Sequence, residues 1–198
     1  MIGVLAYGSL ITDPGLELEA ITVGRTEGIY TPFSVEFARK SNKRCGAPTL
    51  VPVDEGGGPV RAVIFEVNAT PTEAADIVYR REVNAICSGK SYPNPSKVGP
   101  NTTLVEQFVG LAGFEVVLST RIAGNIFPLS ADILADLAIE SAKQLADGRD
   151  GITYLKNVLA CGIVTPLSPS YEASILRKTG AADLTSALEV IRDQANRY

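Results

Sequence analysis

The first dozen residues of the chain carry a pattern that can present backbone amides to a ligand. An apolar run from Ile2 to Tyr7 changes abruptly into Gly8 and Ser9, which predicts a buried strand followed by a tight turn. Glycine lets a ligand approach the main chain, and successive N–H groups that point the same way can hold a carboxylate or a developing oxyanion. The alternative is an ordinary turn after a core strand.

The chain contains no histidine, which limits the chemistry open to it. Without an imidazole there is no Ser-His-Asp triad, no Cys-His pair and no histidine metal site. Proton transfer near neutral pH then falls to a carboxylate, lysine, cysteine or tyrosine adapted by its surroundings. A buried carboxylate is the simplest of these choices.

Glu82 is the carboxylate that the helical pattern singles out. Thr70, Pro71 and Glu73 predict a helix start with an N-cap, a proline at the first position and a capping box, and the helix is expected to run to about Ile86. On a helical wheel Glu82 falls within an apolar arc. The arc also contains Ala74, Ala75, Val78, Ala85 and Ile86. A glutamate is rarely buried without a partner, so Glu82 needs either a salt bridge or a chemical role.

A structural salt bridge is the alternative role for Glu82. Arg80 and Arg81 precede it, but adjacent helical residues do not face each other, so we expect neither to reach it easily. Arg39 and Lys40, from the predicted sheet, are the other possible partners. The sequence leaves the two roles open.

Predicted strands fill the first part of the chain, and predicted helices fill the last part. Strands are expected within residues 20–29, 33–38, 49–53, 60–67 and 105–122, and residues 54–59 are interpreted as a hairpin loop. Later helices are expected to begin at the caps Ser130, Asp150, Ser170 and Asp183. This order favours an α+β fold with a mostly antiparallel, barrel-like sheet and helices packed outside it, over a doubly wound parallel sheet.

The segment Ser88 to Thr103 is rich in glycine, proline, serine and asparagine and has few apolar residues. It follows Glu82 closely. Long irregular loops inside compact domains often serve as lids or binding loops. The alternative is a solvated connection, and the sequence does not separate the two.

Length and charge set the broad class of the protein. The 198 residues predict a single domain over 1–198, and the net charge of −4 argues against nucleic acid or an anionic membrane as partner. Cys45, Cys87 and Cys161 lack CxxC spacing, which is typical of reduced thiols. The start has no basic segment followed by a long apolar stretch, so we expect a cytoplasmic protein. Monomer and homodimer both remain open.

The YGSL turn at residues 7–10 and the Arg81-Glu82 pair together resemble the γ-glutamylcyclotransferase superfamily, and most of all its ChaC-type, glutathione-specific branch. That branch begins with a strand that ends in YGSL, and it carries its catalytic glutamate in an "RE" pair on a helix after the central strands. Residues 46–53 and 62–67 resemble its middle strands, and residues 151–159 resemble its late "NREYL" helix. The likeness extends from residue 2 to about 160.

The chain departs from this family's pattern in two places. The arginine-containing segment expected near residues 33–40 is present only as Phe37-Ala-Arg39-Lys40, and the Gly-Gly-Tyr run expected after the glutamate is replaced by residues 86–92 and the long loop. Both lie where substrate specificity should be set. They leave open which group is released from the γ-glutamyl carbonyl.

The resemblance implies a lyase that forms 5-oxoproline from a γ-glutamyl compound, first of all from glutathione. The substrate's α-amine attacks its own γ-carbonyl, so the reaction needs no metal, cofactor or covalent nucleophile. Glu82 is implied as the general acid and base, with burial favouring its protonated form. The implied contacts to the α-carboxylate and carbonyl come from the backbone at Tyr7, Gly8, Ser9 and Leu10.

Three alternatives remain beside this interpretation. The substrate is a γ-glutamylamine or a γ-glutamyl amino acid instead of glutathione, or the protein binds γ-glutamyl compounds without turnover. Tyr154 and Asn157 are candidates for the pocket lining, and core or helix surface is the other interpretation for both.

Overall fold

The structure is a computed structural model, and it describes residues 1–145 and 148–195. The described part contains seven strands and six α-helices. The strands are β1 (Ile2–Ala6), β2 (Thr22–Tyr30), β3 (Val35–Ser41), β4 (Ala47–Pro52), β5 (Arg61–Val67), β6 (Leu104–Val109) and β7 (Val116–Arg121). The helices are α1 (Leu16–Ile21), α2 (Pro71–Glu82), α3 (Ala131–Gln144), α4 (Gly151–Ala160), α5 (Ser168–Thr179) and α6 (Leu184–Ala195). The predicted α+β class is confirmed.

The chain divides into two compact units. Unit 1 comprises Met1–Pro32 and Val60–Ala123, and unit 2 comprises Phe33–Pro59 and Gly124–Tyr198. The single domain expected over residues 1–198 stays a prediction. Residues 146–147 and 196–198 of that range lie outside the described residues.

Unit 1 is built on a mixed five-stranded sheet with β1 at its centre. The strand order is β2-β5-β1-β7-β6, and β1 runs antiparallel to β5 and parallel to β7. The β2–β5 and β6–β7 pairs are antiparallel, so most neighbours are antiparallel as expected. Within the described residues the sheet is not closed, since β2 and β6 form its edges. The barrel-like arrangement therefore stays a prediction.

Side chains alternate along β1, and the residues on one of its two faces pack against α2. Ile2, Val4 and Ala6 share a face and lie in one buried cluster with Ala74 and Val78 of α2. The opposite face is close-packed at Gly3. A Cβ there would lie 2.5 Å from Ile64 Cγ2, so the packing of β1 beside β5 requires glycine at this position.

Helix α2 begins as predicted and ends earlier than predicted. The Thr70 hydroxyl accepts a hydrogen bond from the Glu73 N–H, and the Glu73 carboxylate accepts one from the Thr70 N–H, which confirms the capping box. The helix ends at Glu82 and does not reach Ile86. The chain turns away there, because Asn84 takes a left-handed conformation with φ of 59°.

Unit 2 contains an antiparallel pair formed by β3 and β4, together with α3 to α6. The hairpin expected across residues 54–59 is wrong, because β4 pairs with β3 whereas β5 belongs to the five-stranded sheet. Sequence alone could not exclude this hairpin, since both flanking runs have strand character.

Three of the four predicted helix caps in unit 2 are confirmed. Ser130, Asp150 and Asp183 each accept a hydrogen bond from the N–H three residues on. The Ser170 cap is wrong, since α5 begins at Ser168 and the Ser170 hydroxyl donates back to the Leu167 carbonyl. None of the described helices is both long enough and apolar enough to span a membrane.

Candidate functional site

A short 3-10 helix, Gly8–Ile11, follows β1 and forms the predicted turn. Tyr7 before it is extended, and Gly8 has a φ of 59°, a conformation that glycine adopts without steric penalty. The Tyr7 side chain makes no capping hydrogen bond. The first N–H groups of a helix have no acceptor within that helix, so the amides of Gly8 and Ser9 make no hydrogen bond inside this 3-10 helix. Tyr7 and Ser9 are half-buried, whereas Gly8 and Leu10 are buried.

Arg81, at the end of α2, makes hydrogen bonds to the segment that contains the 3-10 helix. Its Nη2 and Nε donate to the Asp13 carbonyl oxygen at 2.8 and 3.3 Å, and its Nη2 also lies 3.4 Å from Ser9 Oγ. The Ser9 carbonyl oxygen in turn accepts a hydrogen bond from the Asp13 N–H at 2.9 Å. One guanidinium therefore holds both ends of the 9–13 segment against α2.

Glu82 lies beside the same guanidinium. Its Oε1 is 3.5 Å from Arg81 Nη1 and accepts a hydrogen bond from Thr120 Oγ1, on β7, at 3.4 Å. Hydrogen bonds to a carboxylate are commonly about 2.7–2.9 Å from an arginine and about 2.5–2.7 Å from a hydroxyl, so both contacts are long. The carboxylate therefore has two donors beside it but keeps most of its capacity to accept hydrogen bonds. Its side chain is 33% exposed, which leaves it reachable by a substrate.

Two expectations about Glu82 are wrong. It is not buried among Ala75, Val78 and Ile86, because the helix ends at Glu82 and Ile86 lies beyond it with 39% exposure. Arg81 also does reach Glu82, although the two residues are adjacent. At the end of a helix two long side chains can lean towards each other, which the rule for helix interiors does not cover.

The two remaining predicted site residues lie on α4 in unit 2. Tyr154 is buried, its hydroxyl accepts a hydrogen bond from the Leu50 N–H at 3.3 Å, and its ring meets Phe37 edge to face. The Arg44 guanidinium stacks 4.7 Å from the centre of the Tyr154 ring. Tyr154 therefore contributes to the packing of unit 2. Asn157 is exposed. A role in substrate binding stays a prediction for both.

Sequence reasoning missed a carboxylate that is fully buried in unit 2. Glu36, on β3, is fully buried, and its oxygens accept hydrogen bonds from Thr165 Oγ1 at 2.6 Å and from the Phe37 and Leu167 N–H groups at 2.9 and 3.1 Å. Burial raises its pKa above the ordinary value, and these bonds oppose the rise. The alternation of residues 33–38 gave no sign of this, because the principal donors come from a distant part of the chain.

Comparison with models of known protein families gives no match, and comparison with curated proteins gives none either. The resemblance to γ-glutamylcyclotransferases therefore rests on the residues of this chain alone. Among the described residues, no group of three or more His, Cys, Asp or Glu side chains is arranged to hold a metal ion.

Proposed function

We propose that this protein is a γ-glutamylcyclotransferase that releases 5-oxoproline from a γ-glutamyl compound, with glutathione as the first candidate and Cys-Gly as the released amine. The proposal includes the barrel-like fold of that family, a cytoplasmic location and a small-molecule substrate. It involves no nucleic acid and no membrane as partner.

One observation carries the proposal. Arg81 contacts both Ser9 Oγ, in the turn after β1, and Glu82 Oε1, so a single side chain links the two motifs that are 72 residues apart in the sequence. An amide-rich turn and an accessible carboxylate are the two parts that cyclotransfer requires. Their connection supports a common site.

The chemistry assigned to these residues is one intramolecular acyl transfer. The α-amine of the γ-glutamyl group attacks the γ-carbonyl carbon and forms the ring C–N bond, while the carbonyl oxygen becomes an oxyanion. Glu82 accepts the proton from the attacking nitrogen. The oxyanion then collapses, the bond to the leaving nitrogen breaks, and Glu82 returns the proton to that nitrogen.

The turn at residues 7–10 contributes binding and charge stabilisation. Its amides face developing negative charge without a reorganisation of solvent, which is the main advantage of a preformed oxyanion site. Holding the substrate's α-carboxylate there also folds the γ-glutamyl chain so that amine and carbonyl meet. Arg81, which fixes the turn, supports both effects.

The test is 5-oxoproline release from glutathione by the purified protein and by Glu82→Gln. Removing a general acid and base lowers a rate by about 100- to 10,000-fold, and we expect a loss in that range with unchanged circular dichroism. Glu106→Gln is the matched control, because the Glu106 side chain is also 33% exposed and lies 4.0 Å from an arginine, Arg121. Glu106 pairs with Ser119, so it points to the sheet face opposite Thr120.

The outcomes separate the candidate functions. Release that is lost in Glu82→Gln and kept in Glu106→Gln supports the proposal, whereas a Glu82→Gln variant with wild-type rates refutes the assigned role. If glutathione gives no product, a panel of γ-glutamylamines and γ-glutamyl amino acids tests the other leaving groups. Tight 5-oxoproline binding with no turnover on the whole panel would instead indicate a binding protein.

A further inference from the structure

A second ionic contact in unit 1 joins α1 to α2 and has no part in the proposed proton transfer. Arg80 Nε lies 3.0 Å from each Glu17 carboxylate oxygen, and Arg80 Nη2 lies 2.7 Å from Glu17 Oε1. The Arg80 and Glu17 side chains are 10% and 20% exposed. A short, forked contact with so little exposure fixes both side chains firmly.

Each member of this pair also binds the backbone that follows α2. Glu17 Oε2 accepts a hydrogen bond from the Cys87 N–H at 2.8 Å, and Arg80 Nη1 donates to the Lys90 carbonyl oxygen at 2.9 Å. Cys87 has a φ of 59°, which is unfavourable for a residue other than glycine, so this backbone needs external support. We call these four residues and their contacts the loop clamp.

The loop clamp acts on the segment that leads away from Glu82. Ile86 directly precedes the clamped residues, and a Cβ at Gly15 would lie 3.0 Å from Ile86 Cδ1 and 3.6 Å from Arg81 Cγ. Ile86 and the stem of Arg81 therefore both lie against Gly15. Through these contacts the clamped backbone is connected to the guanidinium that holds Glu82 and Ser9.

A separate contact attaches the next residues of this segment to α2. Asp76, one turn before Arg80 on α2, accepts a hydrogen bond from the Tyr92 N–H at 2.7 Å, and the Tyr92 ring lies 5.4 Å from the Tyr79 ring. The first residues of the 88–103 loop are thus attached to α2 at two places. Only the part beyond Tyr92 lies outside these attachments.

We propose that Glu17 and Arg80 are positioning residues that hold residues 86–92 as the wall of the site on which the released group of the substrate lies. This inference rests on the proposed function. The loop clamp touches backbone and no reacting atom, so loosening it removes binding that substrate and transition state share. Such a loss raises KM and leaves kcat nearly unchanged.

The experiment compares Glu17→Gln and Arg80→Lys with Glu19→Gln, an exposed carboxylate on the same helix. Misplacing a substrate contact can lower kcat/KM by up to about 100-fold, and we expect a fall of about 10- to 100-fold in both clamp variants, mostly in KM. Glu19→Gln should match the wild type. A charge-swapped protein with Glu17→Arg and Arg80→Glu distinguishes the loop clamp from simple helix pairing. It can restore the ion pair, but it cannot accept from the Cys87 N–H or donate to the Lys90 carbonyl.

Amide hydrogen exchange measured by NMR supplies a readout independent of turnover. We expect faster exchange at Cys87 in both clamp variants and in the swapped protein, with Tyr92 unchanged because Asp76 holds it. Unchanged exchange at Cys87, or full recovery of KM in the swapped protein, would overturn the inference. A wild-type protein inactive on every γ-glutamyl substrate would overturn the proposed function and the positioning role with it, while Cys87 exchange would still decide whether the loop clamp exists.

Discussion

Replacing Glu36 by glutamine should change how the stability of the protein depends on pH. The Glu36 carboxylate is fully buried and faces three donors, the hydroxyl of Thr165 and the N–H groups of Phe37 and Leu167. The Thr165 hydroxyl lies 2.9 Å from that of Ser168, and either can donate to the other. This hydroxyl pair can therefore turn to accept a proton when Glu36 is protonated.

The size of the effect follows from counting acceptors. In Glu36→Gln the amide oxygen can replace Oε1, which accepts two hydrogen bonds, and the NH₂ group then faces the Leu167 N–H. One hydrogen bond is lost and a buried donor is left without an acceptor, which costs about 1–3 kcal/mol. We expect the wild type to be more stable than the variant by this amount below pH 4.5, where Glu36 is protonated in both folded and unfolded chains.

The sign of the pH dependence follows from the raised pKa of Glu36. Between the ordinary value of 4.5 and the higher folded value, the folded protein keeps a proton that the unfolded chain has released. The contribution of Glu36 to the free energy of unfolding therefore falls as pH rises, by at most about 1.4 kcal/mol per pH unit, and levels off above the folded pKa. Glutamine does not titrate, so the advantage of the wild type should shrink over this range.

The assay is urea unfolding followed by circular dichroism at a series of pH values from 4 to 8 for wild type and variant. Glu189→Gln, which removes an exposed carboxylate on α6, is the control and should keep the wild-type pH dependence. If the difference in unfolding free energy between wild type and Glu36→Gln stays constant across this range, the buried carboxylate does not titrate as described and the reasoning fails.

Two further predictions concern other parts of the molecule. The hydrogen bonds from Arg80 hold the pKa of Glu17 below its ordinary value, so the stability that ionised Glu17 contributes is present above pH 4.5 and is lost as pH falls through the folded pKa. In urea unfolding, Glu17→Gln should abolish this loss of stability at acid pH. A variant whose unfolding free energy changes with acid pH as that of the wild type does would contradict this prediction. In Gly151→Ala the new Cβ would lie 2.8 Å from Ala138 Cα, so overpacking should lower the free energy of unfolding by about 1–3 kcal/mol. A variant as stable as the wild type would contradict this prediction and would show that α3 and α4 can separate at this position.

Local signals in the sequence predicted local structure well. The start of α2 followed from Thr70, Pro71 and Glu73, because a capping box involves only neighbouring residues. The end of the same helix did not follow, since the backbone just beyond it is held by a hydrogen bond from the Cys87 N–H to Glu17, 70 residues away in the sequence. The short helix α1 was also missed, because six residues are too few to show a helical periodicity.

For the candidate site, too, the sequence predicted the local features but not the contacts between distant residues. Periodicity and residue type identified Glu82 and the Tyr7-to-Leu10 turn, but the contact that links them runs through Arg81, whose reach no pattern indicated. The Glu17–Arg80 pair joins residues 63 apart, and Glu36 meets Thr165 across 129 residues. Such pairs are fixed by tertiary packing, to which a single sequence gives no direct access.

The central position of β1 affects how the chain can fold while it is being made. Ile2 pairs with Val67 on one side and with Val116 on the other, so its second partner is synthesised much later. At about 5–20 residues per second, β1 waits roughly 6 to 23 s for β7 after leaving the peptidyl transferase centre. During that interval an apolar strand has an unpaired edge that can join another nascent chain. All residues of unit 1, up to Ala123, are synthesised before the first α-helix of unit 2.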